Sequence, residues 1–389
     1  MKSQYLGGFD PPRVKNLRTW VEVDTNSLKH NLKEARRAVG KNVNLLVVVK
    51  ANAYGHGLVG SAQIAVQNGA QYLGVDSIDE GVELRKANIR KPILVLGYIP
   101  NARLSDVSKF NFEIAVYNQE TIRGLARTAK KLRTSEHVHL KIETGTSRQG
   151  ILLDELPEFI RLLTKYPYVK VRGVYTHFAD TENPKSTYYR TQVIQFKKAL
   201  AILKRCGFGN FMVHAASSAA VWLYPETHFD MVRLGISYYG FWPSQGVERI
   251  AKRRGMSLKP ALSWRTRIAQ VKRLKKGTWI GYDRTERLKK DSVIAVLPVG
   301  YQDGYDRRLS GIGVVIVRGK RCRVIGRVCM NMLMVDVTGI KNVKPGDVVT
   351  LFGRSGREEI TVEDLARLID TINYEILVRI NPLLPRIYS

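Results

Sequence analysis

Cysteine is scarce in this chain of 389 residues, which contains only Cys206, Cys322 and Cys329. The number is odd and no two of them follow Cys-x-x-Cys spacing, so they match neither a disulfide framework nor a zinc site. All three lie in stretches that are otherwise apolar or strand-like. We therefore expect reduced thiols of a cytoplasmic protein, and no bound metal ion.

Long apolar runs are missing as well. No segment approaches the roughly 18–20 apolar residues that a helix needs to span a bilayer. The first twelve residues contain Asp10, Pro11 and Pro12 and have no apolar region of the kind found in secretory signal peptides. The sequence therefore predicts a soluble, cytoplasmic protein.

Acidic residues are few compared with basic ones. There are 63 Lys and Arg but 34 Asp and Glu, which gives a net charge of +29. This excess favours anionic partners such as nucleic acid or phosphorylated cofactors. However, the basic residues are spread along the chain in short clusters such as 252–254, with no basic tail and no regularly interleaved aromatic residues. We interpret the charge mainly as a solvated basic surface, and nucleic-acid binding stays a minor alternative.

What the chain does have is a regular alternation of apolar strand candidates and helical patterns. This rhythm, over residues 15–252, favours an N-terminal (β/α)8 TIM-like barrel. A doubly wound sheet is the alternative, but no GxGxxG follows any strand. The eight strand candidates are 43–49, 72–76, 92–97, 112–117, 137–143, 171–177, 211–216 and 230–236.

The pattern changes near residue 250. Residues 253–389 contain short strand candidates separated by turn signals, the first of them at 261–271, and little helical periodicity before residue 362. We therefore predict a second, mostly β domain at the C-terminus.

The most informative segment is NLLVVVKANAYGHG at 44–57. Its apolar, β-branched residues predict a buried parallel strand that runs directly into Lys50. An isolated lysine at such a position usually reaches out to solvent. Partial desolvation, however, favours the neutral amine, which is a nucleophile able to hold an aldehyde cofactor as a Schiff base.

Other chemically capable residues follow the carboxyl ends of predicted strands, where (β/α)8 enzymes carry their active sites. Residues 141–148 follow the fifth strand, His177 ends the sixth, Ser217 and Ser218 follow the seventh, and Arg233 lies on the eighth. Taken singly, the serines are more often helix caps, His177 a core histidine, and Arg233 a structural ion-pair partner. Their coincidence at one rim favours a functional site.

The segment VVVKANAYGHG resembles the pyridoxal-phosphate signature of alanine racemases, and the resemblance extends over nearly the whole chain. Several separate motifs in the right order make it specific. These are LKIETGTSRQGI, YTHFA, HAASSAA, MVRLGISYYG, IGYDRT, LPVGYQDGYDRRLS, GRVCMNM and the terminal NYEIL and LPRIY. The resemblance implies a racemase (an isomerase) that interconverts L- and D-alanine with pyridoxal 5'-phosphate and supplies D-alanine for bacterial peptidoglycan.

The resemblance also implies roles for individual residues. Lys50 would hold the cofactor and act as one base, while Tyr282, contributed by the other subunit of a homodimer, would act as the second base from the opposite face. Arg233 would contact the ring nitrogen as a cation that keeps its proton, and His177 would link Arg233 to Tyr282. The cofactor phosphate would be held by Tyr54, Ser218, Gly235, Ile236 and Tyr374.

Further positions match the substrate-binding and supporting residues of the family. Arg148 would contact the substrate carboxylate, and Met330 would come from the partner subunit together with Tyr282. Lys141, at a position that is carbamylated in many members, would position Arg148. Tyr301, Arg307 and Arg327 match residues at the substrate entrance.

The chain departs from the family pattern at a few points. Asn331 stands where an aspartate is usual, and the motif around Arg148 reads GTSR instead of GMGR. These departures bear on rate and substrate preference more than on reaction type.

A racemase of broader specificity remains an alternative. A decarboxylase of the same fold lacks support because there is no Gly-rich phosphate loop. A single-domain pyridoxal-phosphate carrier would have no β domain.

Overall fold

The computed structural model of the chain describes residues 14–389. Residues 1–13, where we expect no signal peptide, lie outside the described residues. The described chain divides into two compact units: one contains Ser27–Ala53 and Leu58–Pro260, and the other contains residues 14–26, the short stretch Tyr54–Gly57, and Ala261–Ser389. Within the described range, no helix combines the length and apolarity needed to cross a membrane.

The first of these units is a closed barrel of eight parallel strands, which confirms the predicted fold. Each strand pairs with the next in sequence, and the last pairs with the first through the register Asn44 opposite Met231. Strand β1 (Thr19–Val23) precedes the barrel in the chain and belongs to the other unit. The barrel strands are β2 (Asn44–Val48), β3 (Tyr72–Val75), β4 (Ile93–Val95), β5 (Glu113–Val116), β6 (Glu136–Lys141), β7 (Val169–Tyr175), β8 (Met212–Ser217) and β9 (Met231–Leu234).

Helices alternate with the barrel strands because the intervening segments carry an apolar stripe at helical spacing and a capping residue. In the helix Gln119–Leu132, for example, the Asn118 side chain accepts a hydrogen bond from Thr121 N (2.8 Å), and Ile122, Leu125 and Ala129 are buried on one face. The principal helices are Thr25–Val39, Leu58–Gln67, Ile78–Lys86, Leu104–Phe110, Gln119–Leu132, Leu156–Lys165, Tyr188–Arg205, Ser218–Leu223 and Gln245–Arg253.

The other unit is built on a ten-stranded sheet, which confirms the predicted mostly β region. Besides β1, its strands are β10 (Leu262–Arg267), β11 (Gln270–Leu274), β14 (Ser292–Leu297), β15 (Val314–Val317), β16 (Lys320–Ile325), β17 (Leu333–Asp336), β18 (Val348–Ser355), β19 (Glu358–Ile360) and β20 (Arg386–Tyr388). Along the sheet they lie in the order β11, β14, β17, β16, β15, β18, β10, β1, β20, with β19 paired to β18. The short strands β12 (Trp279–Ile280) and β13 (Glu286–Arg287) form a separate hairpin.

The β unit differs from expectation in its details. The single strand expected at 261–271 is two strands, β10 and β11, which pair with different neighbours. The helix Val362–Leu368 agrees with the helical periodicity expected from residue 362, and a second helix, Asn373–Val378, precedes the last strand. The core of the unit contains Trp264 against Phe352, with ring centroids 6.0 Å apart.

Candidate active site

Predicted functional residues gather at the carboxyl-terminal rim of the barrel. Lys50 follows β2, Lys141 ends β6, His177 follows β7, Ser218 follows β8, and Arg233 lies on β9. Because all eight strands are parallel, these ends face the same side of the barrel.

The backbone directly after Lys50 takes an unusual course. Four consecutive non-glycine residues, from Ala51 to Tyr54, have positive φ angles between 52° and 54°. The left-handed conformation costs about 1–2 kcal/mol for each residue, so it persists only where surrounding contacts enforce it. Two such contacts are made by Ala51 N, which donates to Glu80 Oε1 (2.6 Å), and by Leu58 N, which donates to Asn52 Oδ1 (2.9 Å). The turn fixes the backbone that carries the lysine.

The Lys50 amine forms an ion pair. Its Nζ lies 2.8 Å from Asp76 Oδ1, and its side chain is 40% exposed. Asp76 follows β3 at the same rim, and its backbone N–H donates to Glu80 Oε2 (2.8 Å). Asp76 and Glu80 are not among the residues predicted from the sequence, although the position of Asp76 at a strand end was a usable signal.

Lys141 is buried and points its amine at neutral partners. Nζ donates to Gln149 Oε1 (3.1 Å), and Gln149 Nε2 in turn donates to the hydroxyl of Tyr117 (3.0 Å). Burial, followed by the nearby charges of Arg148 and Arg233, lowers the pKa of Lys141 to about 8. A lysine with such a pKa exists partly as the neutral amine near neutral pH.

The loop that carries Arg148 folds around the Glu143 carboxylate. Oε1 accepts hydrogen bonds from Gly145 N and Thr146 N (2.6 Å for the latter), and Oε2 accepts one from Arg148 N (3.3 Å). Burial alone would raise the pKa of Glu143, but these N–H donors outweigh it and hold the pKa below its usual value. Because the carboxylate stays charged, it fixes the backbone beneath Arg148.

Arg233 is the centre of the site's hydrogen bonding, although it is only 4% exposed. Nη1 lies 2.9 Å from His214 Nδ1, and Nη2 lies 3.2 Å from His177 Nδ1. Nη2 also donates to the carbonyls of Thr176 (2.8 Å) and Ala215 (2.9 Å). None of the ion pairs within residues 14–389 involves Arg233, and burial lowers its pKa to about 10. The guanidinium therefore stays charged at neutral pH.

His177 is neutral in this environment. Burial and then the charge of Arg233 lower its pKa well below the usual value. Because a guanidinium can only donate, His177 Nδ1 accepts from Arg233, and the ring proton must reside on Nε2. The free edge of His177 is therefore a hydrogen-bond donor.

The candidate phosphate-binding residues form two groups. In the barrel unit, Ser218 Oγ accepts from Gly235 N (3.0 Å) and Ser237 N (3.4 Å), which brings its hydroxyl beside the backbone that includes Ile236. In the β unit, the rings of Tyr54 and Tyr374 lie 6.1 Å apart between centroids.

The other candidate residues of the β unit form an exposed face. Tyr282 is 68% exposed, and the Asp283 carboxylate beside it lies 3.6 Å from Arg327 and 3.9 Å from Arg307. Tyr301 N donates to the Cys329 carbonyl (3.1 Å), next to the exposed Met330. The structure thus brings Tyr282 together with the two arginines, and Tyr301 together with Met330.

The electrostatics of the barrel rim suit an anionic ligand. Lys50, Lys141, Arg148 and Arg233 all lower the pKa of His177, after the larger effect of burial, so these four cations act on one small region. Backbone N–H groups and the Ser218 hydroxyl lie at the same rim. A phosphorylated aldehyde that could bond to Lys50 fits this donor set. Among the described residues, no cluster of His, Cys, Asp or Glu could hold a metal ion.

Comparisons with known proteins agree over nearly the whole chain. Family models described as alanine racemase, N-terminal domain, and alanine racemase, C-terminal domain, match residues 23–243 and 261–388. An alanine racemase of Symbiobacterium thermophilum is 43% identical over 371 residues, which cover 95% of this chain and 97% of that protein.

Solved structures give the same result. The alanine racemase of Bacillus anthracis with bound L-Ala-P is 36% identical, with a TM-score of 0.90 and coverage of 96% of this chain and 95% of that one. The alanine racemase of Bartonella henselae with covalently bound pyridoxal phosphate is 24% identical, with a TM-score of 0.84 and coverage of 96% and 100%. At that lower identity the likeness concerns the fold.

Proposed function

Because this chain belongs to the alanine racemase family, we propose that it interconverts L-alanine and D-alanine with pyridoxal 5'-phosphate as its cofactor. The observation that carries the proposal is Lys50, fixed by a left-handed turn at a barrel rim that holds three further cations. In a bacterial cytoplasm, the product would supply D-alanine for peptidoglycan.

The cofactor would be held at both ends. Lys50 would bond to its aldehyde, and the phosphate would bind Ser218 with the backbone N–H groups of Gly235 and Ile236, together with Tyr54 and Tyr374. When bound, pyridoxal phosphate supplies an electron sink for the pair left on the substrate α-carbon. The bound L-Ala-P of the Bacillus anthracis relative and the covalently bound pyridoxal phosphate of the Bartonella henselae relative support the proposal.

Arg233 would face the ring nitrogen of the cofactor. An arginine with a pKa of about 10 donates a hydrogen bond without giving up its proton. Because Arg233 would not give its proton to the ring nitrogen, it would favour return of a proton to the substrate α-carbon over side reactions such as transamination.

Racemisation needs one group that removes the α-proton and another that returns a proton on the opposite face. We assign these roles to Lys50 and to Tyr282 of the partner subunit. A tyrosine is a weak base at its usual pKa near 10, so its phenolate must be stabilised. His177 offers the necessary donor, because its Nε2–H is directed away from Arg233. The high exposure of Tyr282 supports a role outside its own chain.

Arg148 would bind the substrate carboxylate, with Lys141 beneath it. We propose that Lys141 is carbamylated, because a pKa of about 8 leaves roughly one amine in five neutral at pH 7.4 and only the neutral amine adds CO2. A carbamate would replace a cation that repels Arg148 with an anion that attracts it. An intact mass that lacks one CO2 in bicarbonate buffer would contradict this proposal.

The exposed face of the β unit would close the site of the partner subunit. In this assignment, residues 253–389 act as the domain that completes the other subunit's site, and residues 15–252 act as the domain that binds the cofactor. Met330 would line the partner's substrate pocket. Tyr301, Arg307 and Arg327 would line the substrate entrance.

The proposal is tested by combining an absorbance spectrum with a D-alanine assay. Wild type incubated with pyridoxal phosphate should show the visible absorbance of a lysine-bound cofactor and should convert L-alanine to D-alanine. Lys50→Ala should lose both properties. Lys289→Ala, at an exposed lysine of the β unit, is the control and should keep both.

Three results would count against the proposal in different ways. Absorbance without alanine racemisation, but with racemisation of other amino acids, would favour the broader-specificity racemase. Absorbance with release of CO2 would favour a decarboxylase. No absorbance after addition of the cofactor would refute the assignment of Lys50.

A further inference from the structure

The barrel interior contains a continuous line of buried polar side chains that leads away from Arg233. Beyond His214, whose Nδ1 contacts Arg233, His214 Nε2 lies 2.9 Å from His139 Nδ1. His139 Nε2 then lies 2.6 Å from Glu113 Oε2. The four residues come from β9, β8, β6 and β5, and both histidines are fully buried. The intervening strand β7 leaves room for the line because it has Gly173 at this level.

The donors and acceptors along this line can be assigned without ambiguity. Arg233 can only donate, so His214 Nδ1 accepts and the proton of His214 resides on Nε2. His214 Nε2–H then donates to His139 Nδ1, so His139 is protonated on Nε2 as well. The His139 Nε2–H group then donates a hydrogen bond to the Glu113 carboxylate. Every hydrogen bond therefore runs in one direction, from a cation to an anion through two neutral imidazoles.

Neutral imidazoles suit the surroundings of this line. Burial, followed by the charge of Arg233, lowers the pKa of His214 well below its usual value. The His214 ring also stacks on Tyr175 with centroids 4.7 Å apart and planes 4° apart. The same Tyr175 ring lies 5.1 Å from the Arg233 guanidinium carbon. Both partners of the first hydrogen bond thus contact one aromatic ring.

Such a line is unfavourable as a purely structural element. Barrel interiors of this type are filled mainly by branched apolar side chains. Replacing a buried ionic group with apolar residues of similar volume is often neutral or stabilising, because the desolvation cost offsets the attraction. An ionised carboxylate joined to the site by three hydrogen bonds is therefore better explained by what it does for Arg233.

We infer that Glu113 is a positioning residue for the reaction: its carboxylate fixes the tautomers of His139 and His214, and through them the orientation and charge of Arg233. The inference rests on the proposed function, since it matters for catalysis only if Arg233 contacts the cofactor ring. Without the carboxylate, His139 can carry its proton on Nδ1, and His214 can then carry its proton on Nδ1 as well. An Nδ1–H group on His214 cannot accept a hydrogen bond from Arg233, so the contact that orients the guanidinium would be lost.

Glu113 has other charged and titratable neighbours. Its charge acts on Tyr72, whose pKa is raised by burial first and by Glu113 second. Arg172 has a raised pKa, owing mainly to its hydrogen bond with Tyr72 and in part to Glu113. Arg172 is thus a nearby cation whose pKa responds to the Glu113 carboxylate. The far end of the line therefore lies close to a positive charge.

The test compares three substitutions with a matched control. Glu113→Asp keeps the charge, Glu113→Gln keeps an acceptor oxygen but loses the charge, and Glu113→Ala loses both. The control is Glu136→Gln, a buried carboxylate at the start of the adjacent strand β6, which accepts hydrogen bonds from Ser108 and Thr134 instead of the histidines.

The first readout is the imidazole ¹⁵N spectrum of the full chain, with and without pyridoxal phosphate. Wild type and Glu136→Gln should show His139 and His214 as Nε2–H tautomers. Glu113→Ala should shift both rings towards the other tautomer or a mixture. This readout does not depend on turnover, so it tests the hydrogen-bond line even if the proposed function fails.

The second readout is kinetic. Mutation of an outer residue that orients a functional group typically lowers activity by about 10–100-fold. Glu113→Ala should therefore lower kcat about 10–100-fold, with little change in KM. Glu113→Gln should fall between Glu113→Ala and wild type, Glu113→Asp should recover part of the loss, and Glu136→Gln should stay within about twofold of wild type.

A second variant breaks the line elsewhere and leaves Glu113 intact. A Cβ added at Gly173 would lie 2.1 Å from His139 Nδ1, so Gly173→Ala must displace that ring. It should reproduce the kcat loss and the tautomer change of Glu113→Ala.

Unchanged tautomers in Glu113→Ala, or a kcat loss no larger than that of Glu136→Gln, would overturn the inference. A wild type that does not racemise alanine would instead refute the proposed function, and with it the catalytic role of the line.

Discussion

The two units hold their candidate functional residues in opposite ways. In the barrel, Arg233 is almost fully buried and makes hydrogen bonds to two imidazoles and two backbone carbonyls. In the β unit, Tyr282, Tyr301 and Met330 are exposed by 68%, 42% and 55%. A site works only when its groups are held close to their productive geometry. The barrel holds its candidate residues in a fixed geometry with contacts from its own chain, whereas the exposed residues of the β unit lack such contacts.

The composition of the exposed face indicates what completes it. Tyrosine, methionine and arginine are enriched at the cores of protein–protein interfaces. Here Asp283, next to Tyr282, lies within 4 Å of both Arg307 and Arg327. The exposed Met330 lies in a second group with Tyr301. This arrangement supports the proposed homodimer, in which each face closes the barrel of the other subunit. Three predictions test this contrast between a preorganised barrel and a face that needs a partner.

The largest effect is expected for Tyr282→Phe. Loss of one of two bases should lower the rate of racemisation about 10²–10⁴-fold, while the exposed position leaves the fold intact. Lys50 would still remove and return a proton on its own face. In D2O, the variant should therefore exchange the α-proton of one alanine enantiomer without inversion. Tyr168→Phe, an exposed tyrosine of the barrel unit, should behave like wild type in both assays. Equal exchange of both enantiomers by Tyr282→Phe would contradict the two-base assignment.

A medium effect is expected for the buried Lys141, and it should depend on pH. Its folded pKa of about 8 is below the ordinary 10.5, so between these values the unfolded chain binds more protons and stability rises with pH. Below pH 8, Lys141 is protonated in both the folded and the unfolded chain, so the folded chain bears the full cost of the buried charge. Lys141→Gln should therefore be more stable than wild type at pH 7 in CO2-free buffer, with a Tm about 1–3 °C higher.

This advantage of Lys141→Gln should shrink as the pH rises from 8 to 10.5, as followed by thermal melts. The exposed Lys289→Gln should show no such pH-dependent difference. Addition of bicarbonate should raise the Tm of wild type alone, if Lys141 is carbamylated. A constant difference between Lys141→Gln and wild type across this pH range would show that the lysine does not titrate as its burial requires.

The smallest effect is expected for Asn331→Asp, which restores the residue usual in the family. Asn331 is exposed, and its Nδ2 donates to Gln302 Oε1 (3.3 Å). Loss of this bond at the surface should change the free energy of unfolding by no more than about 0.5 kcal/mol. We expect kcat/KM for alanine to change by less than about tenfold. A larger gain, seen only for alanine among several amino acids, would show that Asn331 limits substrate preference.

The sequence predicts the barrel well because its strands are nearly continuous apolar runs. The strand expected at 43–49 is observed at Asn44–Val48, and the strand expected at 72–76 is observed at Tyr72–Val75. The rim residues follow from this, since parallel strands end on one side. The place of β1 in the second sheet could not be predicted from local patterns, because its pairing with β10 joins residues more than 200 positions apart.

Two parts of the site could not be predicted from local patterns. The left-handed turn at 51–54 contains two alanines, and alanine gives no local signal for a positive φ; the turn depends on contacts with distant residues such as Glu80. The line from Glu113 to Arg233 crosses the barrel interior through four strands. His139 lies two positions before Lys141 and so on the same face of β6, which was a signal available in the sequence. Glu113 had no comparable signal.

The most direct test of the shared site is subunit complementation. Lys50→Ala and Tyr282→Phe chains, each carrying a different affinity tag, are expressed together, and the mixed dimer is isolated by two successive purifications. Both parent dimers should be nearly inactive. In the mixed dimer, one site receives wild-type Lys50 and wild-type Tyr282 from different chains, so it should regain about half of the wild-type activity. A mixed dimer as inactive as its parents would show that each site takes both residues from a single chain, and would contradict the shared active site.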